Sequence, residues 1–169
     1  MDDGPNASDS APASLFHPGD VIGGRFTLRK PIGKSRAEVW LADQTANPLW
    51  PKSVALKLIT YPSREDASRL KEEHRLCCQE DLKDVACIPR SFDQSTCEVG
   101  VRKVAYVARE FVEGKDILAY ANESRLTIAA RVELMIEVCE GVGRLHAKSM
   151  GHRDLKQPNI LIDANDHPK

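Results

Sequence analysis

Residues 151–163 read GHRDLKQPNILID, and the reading of this stretch decides the fold. Asp154 is followed two residues later by Lys156 and five later by Asn159, after which the chain turns apolar. A carboxylate can orient a hydroxyl and accept its proton. A lysine can neutralise charge on a moving phosphoryl group. An amide oxygen can ligate Mg²⁺, a cation that prefers oxygen donors. A polar loop that gathers these three types ahead of a short apolar strand candidate, 160–163, is a candidate for phosphoryl-transfer chemistry.

Upstream of this loop, the apolar spacing predicts a long helix over 127–148, with Thr127 as its N-cap. Its polar side is narrow, made of Glu133, Glu137, Glu140 and Arg144. Apolar residues from Ile128 to Leu145 cover most of the circumference, so the helix expects neighbours on more than one side. The first half of the chain reads differently. Strand candidates lie at 25–32, 37–43 and 53–59, the last alternating Val54, Leu56 and Leu58 against Ala55, Lys57 and Ile59. Three strands in a row predict an antiparallel meander. Ser63 and Asp66 then fit a capping box, in which each side chain satisfies a free backbone donor of the first helical turn. The helix that follows is expected over 64–79. At roughly 100° per residue, Ala67, Leu70, His74, Cys77 and Cys78 share one face, with Glu73 on its flank and Glu72 toward water. Further strands are expected near 88–93 and 101–111, with a glycine-containing turn at 112–116.

Bulk properties set the outer limits. The 169 residues suit one domain, or one small lobe and part of another. A formal net charge of −1 gives no sign of a nucleic-acid partner or a membrane surface, and no apolar run is long enough to span a bilayer. Residues 1–19, rich in Asp, Ser, Ala and Pro, read as a disordered tail without the features of a secretory leader. The cysteines at 77, 78, 87, 97 and 139 are odd in number and lack metal-ligand spacing. They are expected to be reduced thiols in a cytoplasmic protein.

Together the motifs resemble the protein kinase family. HRDLKQPN is similar to its catalytic loop, HRD-L-x-x-x-x-N, and VALK at 54–57 is similar to its phosphate-anchoring strand. The opening PGDVIGGRFTL and the segment from VELMIEVC to HPK look like bacterial serine/threonine kinases. Lysine two residues after the catalytic aspartate is the serine/threonine signature. The resemblance implies an α+β, protein-kinase-like fold. An antiparallel, β-rich N-lobe with one helix (20–111) would lead through a hinge into the first, mainly helical part of a C-lobe (112–169). It further implies ATP and Mg²⁺ in the cleft between them. Asp154 would be the base, Lys156 the phosphate neutraliser and Asn159 a metal ligand. Lys57 would anchor the α and β phosphates, with Glu73 as its ion-pair partner. The Glu110 carbonyl and the Val112 amide would meet the adenine edge, and Arg109 would be the gatekeeper. Ile32, Val39, Ala55 and Leu161 would sandwich the purine. Asp116 would either bind a ribose hydroxyl or cap the next short helix.

Two departures from the family pattern set expectations of their own. The phosphate-covering loop, G-x-G-x-x-G-x-V in the family, keeps Gly33 but has Ser35 and Ala37 at its later glycine positions and is one residue short. The sequence reaches Lys169 without the metal-binding Asp-Phe-Gly, and Arg153 lacks an activation-loop partner. The expectation is a kinase truncated after its catalytic loop, with a wide apolar face exposed on helix 127–148 and a second polypeptide as a candidate to complete the lobe. Its substrate would be a protein hydroxyl. The alternative is a pseudokinase-like binding module without catalysis. A small-molecule phosphotransferase shares the Asp-to-Asn spacing, but HRDLK and VALK count against it.

Overall fold

The computed structural model describes residues 14–34, 37–78, 87–152 and 154–169. Ser35, Gln79, Arg153 and residues 1–13 of the expected tail lie outside the described residues. Six strands form one antiparallel sheet in the order β1-β2-β3-β4-β6-β5. They are β1 (Val21–Ile22), β2 (Phe26–Lys34), β3 (Glu38–Gln44), β4 (Ser53–Thr60), β5 (Ser91–Val99) and β6 (Arg102–Glu110). Between β4 and β5 runs α1 (Arg64–Cys77), and after β6 come β7 (Gly114–Asp116), α2 (Ile117–Glu123), α3 (Ile128–Ala147) and β8 (Leu161–Asp163).

Period-two alternation sorts the sheet into two faces. Val54, Leu56 and Leu58 are at most 1% exposed and join Phe26, Leu28, Trp40 and Tyr106 in the main core. The other face carries Ala55, Lys57 and Ile59. There α1 packs by Leu70 on Ala105, Val107 and Ile59. The capping box forms: Asp66 N donates to Ser63 Oγ at 3.0 Å and Ser63 N to Asp66 Oδ2 at 3.1 Å. Cys78 keeps to the His74 side expected of it, with its Sγ 3.3 Å from the Ser91 carbonyl. It is the C-cap, one residue past the helix, and is exposed.

Three expectations need correction. The tail does not extend to residue 19. Phe16 is 2% exposed inside the main core, Gly19 N donates to Leu28 O at 2.8 Å, and Ser14 and Leu15 are tied to Glu38. The strand expected near 88–93 is β5, which runs from Ser91 to Val99 and turns through Gly100 at φ +59° into β6. Its polar stretch Asp93–Glu98 hides the strand, because an edge strand with one solvated face needs little apolar content. Finally, residues 114–116 are not merely a turn. They form β7, which pairs with β8 in the register Gly114↔Asp163, Lys115↔Ile162, Asp116↔Leu161.

That last pairing anchors the C-terminal region. Ile117, Leu134, Val138, Ile160 and Ile162 form its core. α3 buries the stripe Leu134, Val138, Gly141 and Leu145 and leaves Ile128 84%, Val132 53% and Ile136 53% exposed, as the wide apolar surface of the sequence anticipates. The two regions are joined through residues 111–113 and by Cys87 and Ile88, which pack with Met150 against Leu145. Gly114 is required by close approach: a Cβ there would lie 2.0 Å from the Ile162 carbonyl oxygen. Gly114→Ala is expected to push β8 away at a cost of about 1–3 kcal/mol. Differential scanning calorimetry should read this as a lower Tm, by roughly 2–4 °C per kcal/mol for a chain of this size.

Candidate active site

The sheet positions the first group of residues. In β4, Lys57 points to the α1 side, and the capping box sets the rotation of α1 so that Glu73 faces it. Lys57 Nζ donates to Glu73 Oε1 at 3.2 Å and to Oε2 at 3.1 Å. Glu72 instead pairs with Arg75 in solvent. The expected pair therefore forms, but it has a third member. Arg109 Nη2 lies 2.5 Å from Glu73 Oε1, reaching across from the end of β6. His74, beside it, shares a 2.7 Å hydrogen bond with Ser91 Oγ, and burial lowers its pKa.

The second group lies in the loop before β8. Asp154 Oδ1 is 3.0 Å from Lys156 Nζ, and Asn159 Nδ2 donates to Asp154 Oδ2 at 2.9 Å and to the Asp154 carbonyl at 2.8 Å. A 3-10 turn over Gln157–Asn159, with Pro158 in its first turn, folds Asn159 back onto Asp154. The hydrogen bonds from Lys156 and Asn159 hold the Asp154 carboxyl below the usual carboxylate range. Because the Asn159 amino group is committed to Asp154, its carbonyl oxygen is the atom left to ligate a cation. Among the described residues no group of three or more His, Cys, Asp or Glu could form a cation cage.

The remaining candidates flank the 111–113 connection. Ala55 lies opposite Arg109 and Val54 opposite Glu110 in the β4–β6 register, while Leu161 lies opposite Asp116 in β7–β8. Ala55, Val39, Val112 and Leu161 are half-buried, and Ile32 is exposed. Asp116 is an N-cap: its Oδ1 accepts from the Leu118 and Ala119 amides, both at 3.0 Å. The cap role left open by the sequence is therefore filled. Gly33 lies within β2 opposite Val39, and among the described residues a Cβ there would meet the Val39 side chain at 3.6 Å. Among the described residues neither backbone conformation nor packing demands glycine at that position.

Among the described residues no hydrogen bond or ion pair joins the Lys57 group to the Asp154 group. Sequence reasoning paired Lys57 with Glu73 and grouped Asp154, Lys156 and Asn159, but missed the attachment of Arg109 to Glu73. A large cation at the end of a strand beside Lys57 was the available signal.

A family model described as Protein kinase domain matches residues 39–169, beginning just past Gly33. The chain is 29% identical over 156 residues to the serine/threonine-protein kinase pkn2 of Myxococcus xanthus, covering 90% of this chain and 17% of that protein. It is 26% identical over 152 residues to the serine/threonine-protein kinase PknA of Corynebacterium glutamicum, covering 86% of this chain and 31% of that protein. A mouse relative, the cAMP-dependent protein kinase catalytic subunit PRKX, is 32% identical over 117 residues, or 68% of this chain and 32% of its own length. The chain thus spans less than a third of each of these relatives.

Proposed function

This chain belongs to the protein kinase family, and from that premise we propose that it carries the nucleotide cleft and transfer loop of an ATP-dependent serine/threonine protein kinase. The reaction moves the γ-phosphate of ATP to a serine or threonine hydroxyl of a protein. The observation that carries this reading is the Asp154 carboxylate, held between Lys156 on one oxygen and Asn159 on the other. Kept ionised, Asp154 orients the acceptor hydroxyl and takes its proton. Lys156 neutralises charge gathering on the transferred group, and the Asn159 carbonyl oxygen takes one position on Mg²⁺. That thin donor set fits the ion, which uses one or two side chains and fills its shell from phosphate oxygens and water. When bound, Mg²⁺ offsets charge on the phosphates.

Lys57 anchors the α and β phosphates, and Glu73 orients it. The Glu110 carbonyl and Val112 amide take the adenine edge, with Ile32, Val39, Ala55 and Leu161 above and below the ring and Gly33 leaving room beside the phosphates. Support for the sandwich comes from the registers that bring Ala55 and Leu161 to opposite ends of the 111–113 connection. Asp116 keeps its second carboxylate oxygen for the ribose while its first caps α2. On this reading residues 20–111 are the N-lobe, apart from the strap that begins at Ser14, and 112–169 are the hinge and C-lobe. No helix among the described residues is long and apolar enough to cross a membrane, and the five free thiols suit the cytoplasm.

Thermal unfolding with and without ATP and Mg²⁺ tests the cleft. The nucleotide should raise Tm, and Lys57→Ala should abolish most of that rise; a rise that survives the substitution places the nucleotide elsewhere. A second reading, a binding module without catalysis, is favoured by the exposed apolar face of α3. Under that reading the face docks a completing polypeptide, and Tm rises with that partner and not with ATP.

A further inference from the structure

The attachment of α1 to the sheet is thin on the apolar side. Leu70 is its one fully buried apolar residue, packed on Ala105, Val107 and the half-buried Ile59. Its polar contacts with the sheet are His74 on Ser91 and Glu73 on two cations. Of those two, the shorter contact belongs to Arg109, at 2.5 Å against 3.1 Å for Lys57. Arg109 is also placed deeper than an exposed ion-pair partner. Its side chain is 27% exposed, its Nη2 lies 3.8 Å from Cys77 Sγ, and its Nε–H is buried without an acceptor. An apolar side chain at this position would fill the space without an orphaned donor. The guanidinium offsets that cost by its ion pair with Glu73.

We propose that Arg109 is a positioning residue: it latches α1 through Glu73 independently of Lys57, so that the lysine ammonium is released to nucleotide phosphate without leaving Glu73 unpaired. With Lys57 alone, one ammonium would have to serve both the carboxylate and the phosphate. With Arg109 present, Glu73 stays neutralised and α1 stays seated whether or not nucleotide is bound. The planar guanidinium is suited to this because its donors are fixed in a fork, whereas an ammonium is a point charge on a flexible stem. The part of this inference that concerns phosphate rests on the nucleotide reading above; the latch itself does not.

Amide hydrogen exchange in the nucleotide-free protein separates the two. Arg109→Met should speed exchange across Leu70–Cys77 by about fivefold, the upper end for losing one solvent-accessible ion pair. Lys57→Ala should change it far less, and Arg109→Lys should fall between. Glu73→Gln should match Arg109→Met, and combining the two should add little. If Arg109→Met does not fold, Arg109→Lys compared with Glu73→Gln carries the same comparison. Unchanged exchange in these Arg109 variants, or equal loosening by Lys57→Ala, overturns the latch. Binding of a fluorescent ATP analogue with Mg²⁺ is measured in parallel. Lys57→Ala should weaken it strongly and Arg109→Met by a smaller factor. A wild-type protein that shows the exchange pattern but binds no analogue refutes the nucleotide reading and leaves the latch standing.

Discussion

On the proposed function, Asp154→Asn is expected to lower phosphoryl transfer to a protein hydroxyl by about 10²–10⁴-fold, the usual contribution of a positioned general base. ATP affinity and Tm should stay where they are. The substitution keeps shape and removes charge at an exposed loop position, so the fold has little to lose. Its pH dependence gives a second handle. The Lys156 hydrogen bond first, and the Asn159 hydrogen bond second, depress the pKa of Asp154. A depressed carboxyl is ionised throughout the range above its ordinary value, and its proton-accepting form is lost only as pH falls through the lowered folded value. The acid limb of the rate profile should therefore lie below the ordinary carboxylate range. Lys156→Met removes the largest cause of the depression and should move that limb upward. A γ-³²P transfer assay over pH reads both effects. Transfer that persists at the wild-type rate in Asp154→Asn would remove the base from the mechanism.

Much of this site was legible because its residues are local in sequence or tied to a local signal. Asp154, Lys156 and Asn159 fall within six residues, so a single 3-10 turn is enough to bring them together. The Lys57–Glu73 pair is more distant, yet it too could be read. Alternation fixed which way Lys57 points, and the Ser63–Asp66 box fixed where the helix starts and so which glutamate faces the sheet. Arg109 could be placed on its strand but not on its partner, because meeting Glu73 depends on how closely α1 lies on β6. That distance is set by the small side chains Ala105 and Val107 beneath Leu70. β5 was misplaced because its stretch Asp93–Glu98 is polar, and β7 because three residues ending in a helix cap look like a turn until β8, some 45 positions later, pairs with them. Alternation reports on a strand's faces; it carries nothing about strands defined mainly by their partners.

The segment before Pro18 was hidden for a related reason, and it carries the second large effect. Phe16→Ala is expected to destabilise the protein by about 3–5 kcal/mol, the range for deleting a buried aromatic ring. That is a large share of the roughly 5–15 kcal/mol by which domains are stable. Composition argued for a tail here, since Leu15 and Phe16 stand alone among Ser, Ala, Pro and Gly. Two apolar residues without periodicity are no signal of an element, but one ring needs no element if the backbone is tied on both sides. Upstream, Ser14 Oγ and Leu15 N donate to Glu38, which also accepts from Trp40 Nε1 at 3.1 Å, and the Leu15 carbonyl accepts from Arg102. Downstream, His17 N donates to Asp20 Oδ2 at 2.9 Å and Leu28 N to the Asp20 carbonyl at 2.9 Å. These bonds clamp the ring between Trp40, Phe26 and the other residues of the main core, on the sheet face opposite Lys57. Urea unfolding should show a lower midpoint with an unchanged slope, since the surface exposed on unfolding hardly changes. A chain begun at Asp20 should lose at least as much as Phe16→Ala relative to one begun at Ser14, because it forfeits the ring together with its clamps. A loss under about 1 kcal/mol, the size of an ordinary surface change, would mean that the ring is not a part of the core and that the sheet closes without it.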